Sequence, residues 1–199
     1  MNVRKLALQG GAGIGGTILL AGAMWLHAYQ PKVEARMLDP IRTDGDVGEE
    51  VVTPAFTLRV DGVVAARSLA SDAFLGDKPA IGTDGVYVVV RARAMSRDEP
   101  VELRSAVLET PGGYTYEAAP RPGGGQVPGA TFQPMLWTST AFVFELPKSR
   151  LAGAHLVVGT GGLLPQLSSA ADIDLGITGS RADDLVRKAP ERYKVQVGS

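Results

Sequence analysis

From Val51 onward, apolar and polar residues alternate with period two, the spacing that turns one face of an extended strand toward a core. In AFTLRV, Phe56, Leu58 and Val60 share a face. In GVYVVVRARAM, Val86, Val88, Val90, Ala92 and Ala94 oppose Tyr87, Val89, Arg91, Arg93 and Met95. AFVFELP sets Phe142, Phe144 and Leu146 inward against Val143 and Glu145. VELRSAVLET, the stretch through Tyr114 and Tyr116, AHLVVGT and DIDLGIT complete a set of about seven short strands. TPGGYTY supplies proline and glycine for a tight turn, and APRPGGGQVPGA, with Gly123, Gly124 and Gly125, reads as a long loop. A helical pattern appears late, in SRADDLVRKAP, with Ser180 as N-cap, acids early, Arg187 and Lys188 late and Pro190 as the stop. The pattern predicts a mainly β protein, an antiparallel immunoglobulin-like β-sandwich with a short C-terminal helix.

The first thirty residues follow a different rule. Residues 6–29 carry no charge and hold Leu6, Leu8, Ile14, Ile18, Leu19, Leu20, Met24, Trp25 and Leu26. As a helix rising ~1.5 Å per residue, this run exceeds the ~30 Å hydrocarbon core of a bilayer. Trp25 and Tyr29 suit the headgroup zone at its far end, and Arg4 and Lys5 favour a cytoplasmic N-terminus. The sequence therefore predicts a single-pass anchor with the remaining chain outside the cell membrane. A cleaved signal ending at Ala23, in Ala21-Gly22-Ala23, is the alternative. Gly11 and Gly15 form a GxxxG pair, the spacing that lets two membrane helices approach closely.

These patterns divide the chain into a cytoplasmic N-terminus (1–5), a transmembrane helix (6–29), a linker (30–50), a sandwich (51–178) and a C-terminal helix with its tail (179–199). Twenty-five glycines and 13 prolines among 199 residues agree with a turn-rich β domain. The absence of cysteine excludes disulfides, thiolate metal sites and a cysteine nucleophile. Beyond Lys5 there are 18 basic and 21 acidic residues, with no basic patch interleaved with aromatics, so nucleic acid is not an expected partner.

TLRVDGVV, GVYVVVRARAMSRDEPVELRSAVLETPGGYTYEA and FVFELPKSRLAGAHLVVG follow one another in an order that resembles the telokin-like, immunoglobulin-type domains of Gram-positive, especially actinobacterial, surface proteins. The resemblance spans residues 50–178. It is carried by the alternating valine strand, by a corner formed from Glu109, Gly112 or Gly113, and Tyr114 or Tyr116, by Val143-Phe144-Glu145-Leu146-Pro147, and by Leu156-Val157-Val158. It implies an extracytoplasmic binding or accessory module without a catalytic set. An asparagine-bearing turn found in many relatives is missing after VYVVVRARAMSRDEP.

Candidate chemistry is sparse. The histidines are His27 and His155, and no serine lies in a nucleophile-elbow sequence. Asp44, Asp46, Glu49 and Glu50 lack the spacing of an EF-hand loop and read as a solvated linker. The GTGG stretch ending at Gly162 lacks the lysine of a phosphate loop. No metal or cofactor is expected. Met135, Leu136 and Trp137, beside the glycine-rich loop, read either as core or as a recognition edge. The sequence favours a non-enzymatic, membrane-anchored module that contacts a protein partner, in a membrane complex or by self-association. Trp137 and Gly123–Gly125 are the recognition candidates, and Gly11 and Gly15 the helix-packing candidates. A released small-ligand or metal-binding protein is the alternative.

Overall fold

The computed structural model describes residues 40–70, 80–118, 131–161 and 167–194. The predicted membrane helix, with Gly11 and Gly15, and the glycine triplet Gly123–Gly125 lie outside these residues. Among the described residues no helix is long and apolar enough to cross a membrane.

The described chain is a mainly β sandwich with one short α-helix. Its strands are β1 (Ile41–Asp46), β2 (Glu50–Val52), β3 (Phe56–Ala70), β4 (Ile81–Ser96), β5 (Val101–Glu102), β6 (Ser105–Thr110), β7 (Tyr114–Glu117), β8 (Thr131–Phe132), β9 (Thr138–Leu146), β10 (His155–Gly159), β11 (Ser169–Asp174) and β12 (Tyr193–Lys194). One sheet runs β1-β11-β10-β6-β7 and the other β12-β3-β4-β9, with β2 also on β3 and a small β5-β8 pair apart. The chain crosses between sheets from β4 to β6 and returns at β9. As a result β4 lies beside β9 while β6 lies beside β10, a Greek-key arrangement.

The period-two faces meet between the sheets. Phe56, Leu58, Val88, Val90, Phe142 and Phe144 from one sheet are fully buried, with Leu108, Leu156, Val158 and Ile173 from the other in the same cluster. The register with β4 shifts twice, at Asp61 and between Ala66 and Ser68. Val60 pairs with Ala92 and Gly62 with Arg91, so Asp61 is an extra residue on β3 and Val63 returns to the inner face. The helix α1 (Gly179–Arg187) packs Ala182, Leu185 and Val186 on the same core. Its N-cap is Thr178, whose hydroxyl accepts from the Arg181 amide, rather than the expected Ser180.

Three further features depart from the sequence reading. The stretch read as a linker up to residue 50 contributes β1, which pairs in parallel with β11 from Ile41↔Ser169 to Asp46↔Asp174. With β12 on β3, this makes the sandwich mixed rather than purely antiparallel. IRTDGD holds one apolar residue in six, so nothing in its pattern announces a strand. The strand is held by its backbone ladder, and the chain then turns at Gly48 (φ 90°) into the opposite sheet. A Cβ on Gly45 would stand 2.2 Å from Val51 Cγ2, so this crossing needs a glycine there.

VELRSAVLET is two strands, broken at the buried Leu103 and the exposed Arg104. On the far face of β4, Tyr87 and Val89 are also buried, in a second cluster with Ala66, Leu69, Ala141 and Val143, against which Tyr193 packs.

Burial raises the Tyr87 hydroxyl above its ordinary pKa, and the Glu145 carboxylate directly opposite adds to the shift. The folded state therefore keeps this proton where the unfolded chain has lost it. The associated stability is intact below about pH 10 and declines as the pH rises further. Urea midpoints taken at about pH 9 and about pH 11 are expected to fall less for Tyr87→Phe than for the parent. An equal fall in both would place the hydroxyl in water.

Candidate functional site

Two polar or apolar concentrations lie on opposite sheets. On the outer face of the first sheet, Arg42 projects from β1 and reaches over β11 and β10 to β6. Its Nη2 donates to Glu109 Oε1 at 2.8 Å, while Nη1 donates to Glu109 Oε2 at 2.9 Å and to Asp172 Oδ2 at 3.0 Å. Asp172 Oδ1 lies 3.2 Å from His155 Nδ1. One ionic chain thus ties four strands together. The hydrogen bonds to Glu109 are the largest influence raising the Arg42 pKa, burial opposes them, and Asp172 adds to the rise, so the guanidinium stays charged wherever the fold survives.

Next to this belt, Asp44, Asp46, Asp172, Asp174 and His155 rim an open depression of about 450 Å³. The acids Asp44 and Asp46, read from sequence as part of a solvated linker, stand instead in register with Asp172 and Asp174 on a sheet. Among the described residues, no three His, Asp or Glu side chains converge as a metal site would require. The bonds of Arg42 to Glu109 and Asp172 fasten the edge strand β1 to β6 and β11.

The second concentration is at the N-terminal end of β9. Ser96 makes an isolated bridge to Pro134, and the chain then turns through Met135, whose φ is 59°. This left-handed conformation costs a non-glycine residue about 1–2 kcal/mol, and here it holds the side chain away from the sheet. Met135 is 93% exposed and Leu136 58%. Trp137 is half-buried, with the Arg93 guanidinium 6.0 Å from its ring centroid. Thr138 pairs with Ala94, so Trp137 follows the ladder at the level of Met95.

The Asp61 bulge anchors the polar rim of this edge. Asp61 accepts from Arg93 Nε at 2.9 Å and from Nη2 at 2.8 Å, and Arg59 Nε lies 3.9 Å away. Arg59 and Arg93 face each other directly across β3 and β4, and the bulged carboxylate offsets their repulsion. An apolar knob of methionine, leucine and tryptophan, rimmed by arginine, has the composition of a protein-contact centre. Of the residues weighed from sequence as core or recognition edge, Met135 and Leu136 are exposed at this edge and Trp137 is half-buried beside them. Gly11, Gly15 and Gly123–Gly125 lie outside the described residues. The sequence left Met135 between core and edge, because a positive φ at a non-glycine residue leaves no mark in the hydrophobic pattern.

No protein-family model matches the chain, and no curated protein matches its sequence significantly. Two solved structures are similar to it. An uncharacterized β-sandwich protein from Clostridium difficile 630 has 12% identity over 72% of this chain and 99% of its own, with a TM-score of 0.42. The secreted protein MPT63 from Mycobacterium tuberculosis has 16% identity over 68% of this chain and 97% of its own, with a TM-score of 0.43. At these values the β-sandwich assignment rests on this chain's own strand pairing.

Proposed function

We propose that the chain is a non-enzymatic, single-pass membrane-anchored module whose extracytoplasmic immunoglobulin-type sandwich contacts a protein partner through the Met135–Leu136–Trp137 edge. The observation that carries this reading is the outward display of two adjacent large apolar side chains, 93% and 58% exposed, beside a half-buried tryptophan under an arginine. Leaving such groups in water forgoes burial that the core could supply, and covering them on binding recovers it. The adjacency of β4 with β9 and of β6 with β10 supports the immunoglobulin-type reading, because these are the neighbours that its B–E and C–F strand pairs require. The telokin-like resemblance points the same way. The uncharged run of residues 6–29 behind Arg4 and Lys5 supports the anchor.

The test places a diazirine-bearing amino acid at the exposed Gln133 of the full chain in its native membranes. Irradiation is expected to yield a discrete protein adduct that Leu136→Asp reduces at least tenfold. No adduct, an adduct to lipid alone, or an adduct indifferent to Leu136→Asp would overturn the reading. An intact mass beginning at Met24 would replace the anchor with a released protein.

A further inference from the structure

We propose that Met135 is a reversible oxidation site that switches this recognition edge off, an inference that rests on the reading of the edge as a contact surface. The chain has no cysteine, so its five methionines are its only oxidisable sulfurs. Two of them, Met95 and Met135, are among the described residues, and their surroundings differ sharply. Met95 sits within β4, paired with Thr57 and only partly accessible. Met135 is 93% exposed, held off the sheet by its positive φ, with its thioether open to attack from most directions.

The oxidant is a hydroperoxide, with hydrogen peroxide as the simplest case. A lone pair on the Met135 sulfur attacks the nearer peroxide oxygen as the O–O bond breaks, so a sulfur–oxygen bond forms. The departing hydroxide takes the proton that the transferred oxygen loses, giving water. The sulfur is oxidised by two electrons and the peroxide reduced by two. The sulfoxide is polar and chiral where the thioether was apolar and pliable. Covering it against an apolar partner without a donor is expected to weaken contact about ten- to a hundredfold. The fold is spared, because Met135 belongs to neither buried cluster.

The experiment uses the full chain with the diazirine at Gln133, in membranes treated with dilute hydrogen peroxide. Peptide mass mapping is expected to show Met135 sulfoxide forming at least tenfold faster than Met95 sulfoxide. The protein adduct should fall at least tenfold in parallel and return after treatment with methionine sulfoxide reductases. Met135→Leu should keep its adduct through the same peroxide exposure. Equal oxidation of Met135 and Met95 would overturn the inference, as would an adduct that survives complete Met135 oxidation. Those two failures leave the recognition reading standing, whereas loss of the adduct in the untreated parent removes that reading and this one together.

Discussion

Phe144→Ala is expected to cost about 3–5 kcal/mol and to lower the melting temperature by about 10 °C or more. Phe144 is fully buried on the inner face of β9, opposite Val88 on the central strand β4. Phe142 occupies the same face two residues away, and both point toward Leu108, Leu156 and Ile173 of the other sheet, in one cluster. Truncation removes the apolar area of the ring and leaves a cavity that strands on both sides resist closing. Domain stabilities of about 5–15 kcal/mol make this a large share of the total. Phe144→Leu, which keeps most of the volume, should cost about a third as much. Chemical denaturation of both variants measures the difference. A loss under about 1 kcal/mol for the alanine variant would mean that the two sheets do not meet at this residue.

Arg42→Ala is expected to cost about 2 kcal/mol, with a melting temperature lower by about 4–8 °C. The guanidinium supplies three charge-assisted hydrogen bonds, and its side chain is only 27% exposed. Its loss leaves Asp172, 15% exposed, with His155 as its remaining named partner, and leaves Glu109 without its fork. Partial solvent access keeps the cost below that of a fully buried pair. Arg42→Lys should recover less than half of it, because an ammonium cannot span Glu109 and Asp172 in the same geometry. Hydrogen exchange should report the damage locally, with faster exchange in β1 and unchanged protection in β4 and β9. Uniform loss across both sheets would contradict a role confined to the edge.

The inner faces of β3, β4 and β9 were legible in the sequence because the residues that reach the main core recur at every second position in AFTLRV, GVYVVVRARAM and AFVFELP. The Asp61 bulge was not, although the spacing of Val60 and Val63 records it once the pairing is known. Tyr87, Val89 and Val143 read as outward residues, and they are outward from the main core; only a second apolar layer on that face explains their burial. β1 escaped notice because its contribution is a backbone ladder and one arginine, and neither leaves a hydrophobic period. The belt from Arg42 to Glu109 joins residues 67 positions apart, which no local window can bring together. Trp137 could be singled out as an aromatic beside a glycine-rich stretch. Met135 and Leu136 could be placed only as core or edge, because the positive φ at Met135 has no counterpart in the hydrophobic pattern.

The parallel pairing of β1 with β11 also sets a timetable. Arg42 and Asp172 are 130 residues apart, so the first-made strand of the sandwich must wait for nearly the last-made one. At synthesis rates of about 5–20 residues per second that delay is on the order of ten seconds. During it the ladder of β1 has no neighbour, and the emerging chain must hold a bare strand in reserve. Once β11 arrives, closure covers an edge that would otherwise invite pairing with another chain. The link from Arg42 to Asp172 can form only once β11 is made, so it belongs to the late assembly of the sandwich rather than its beginning.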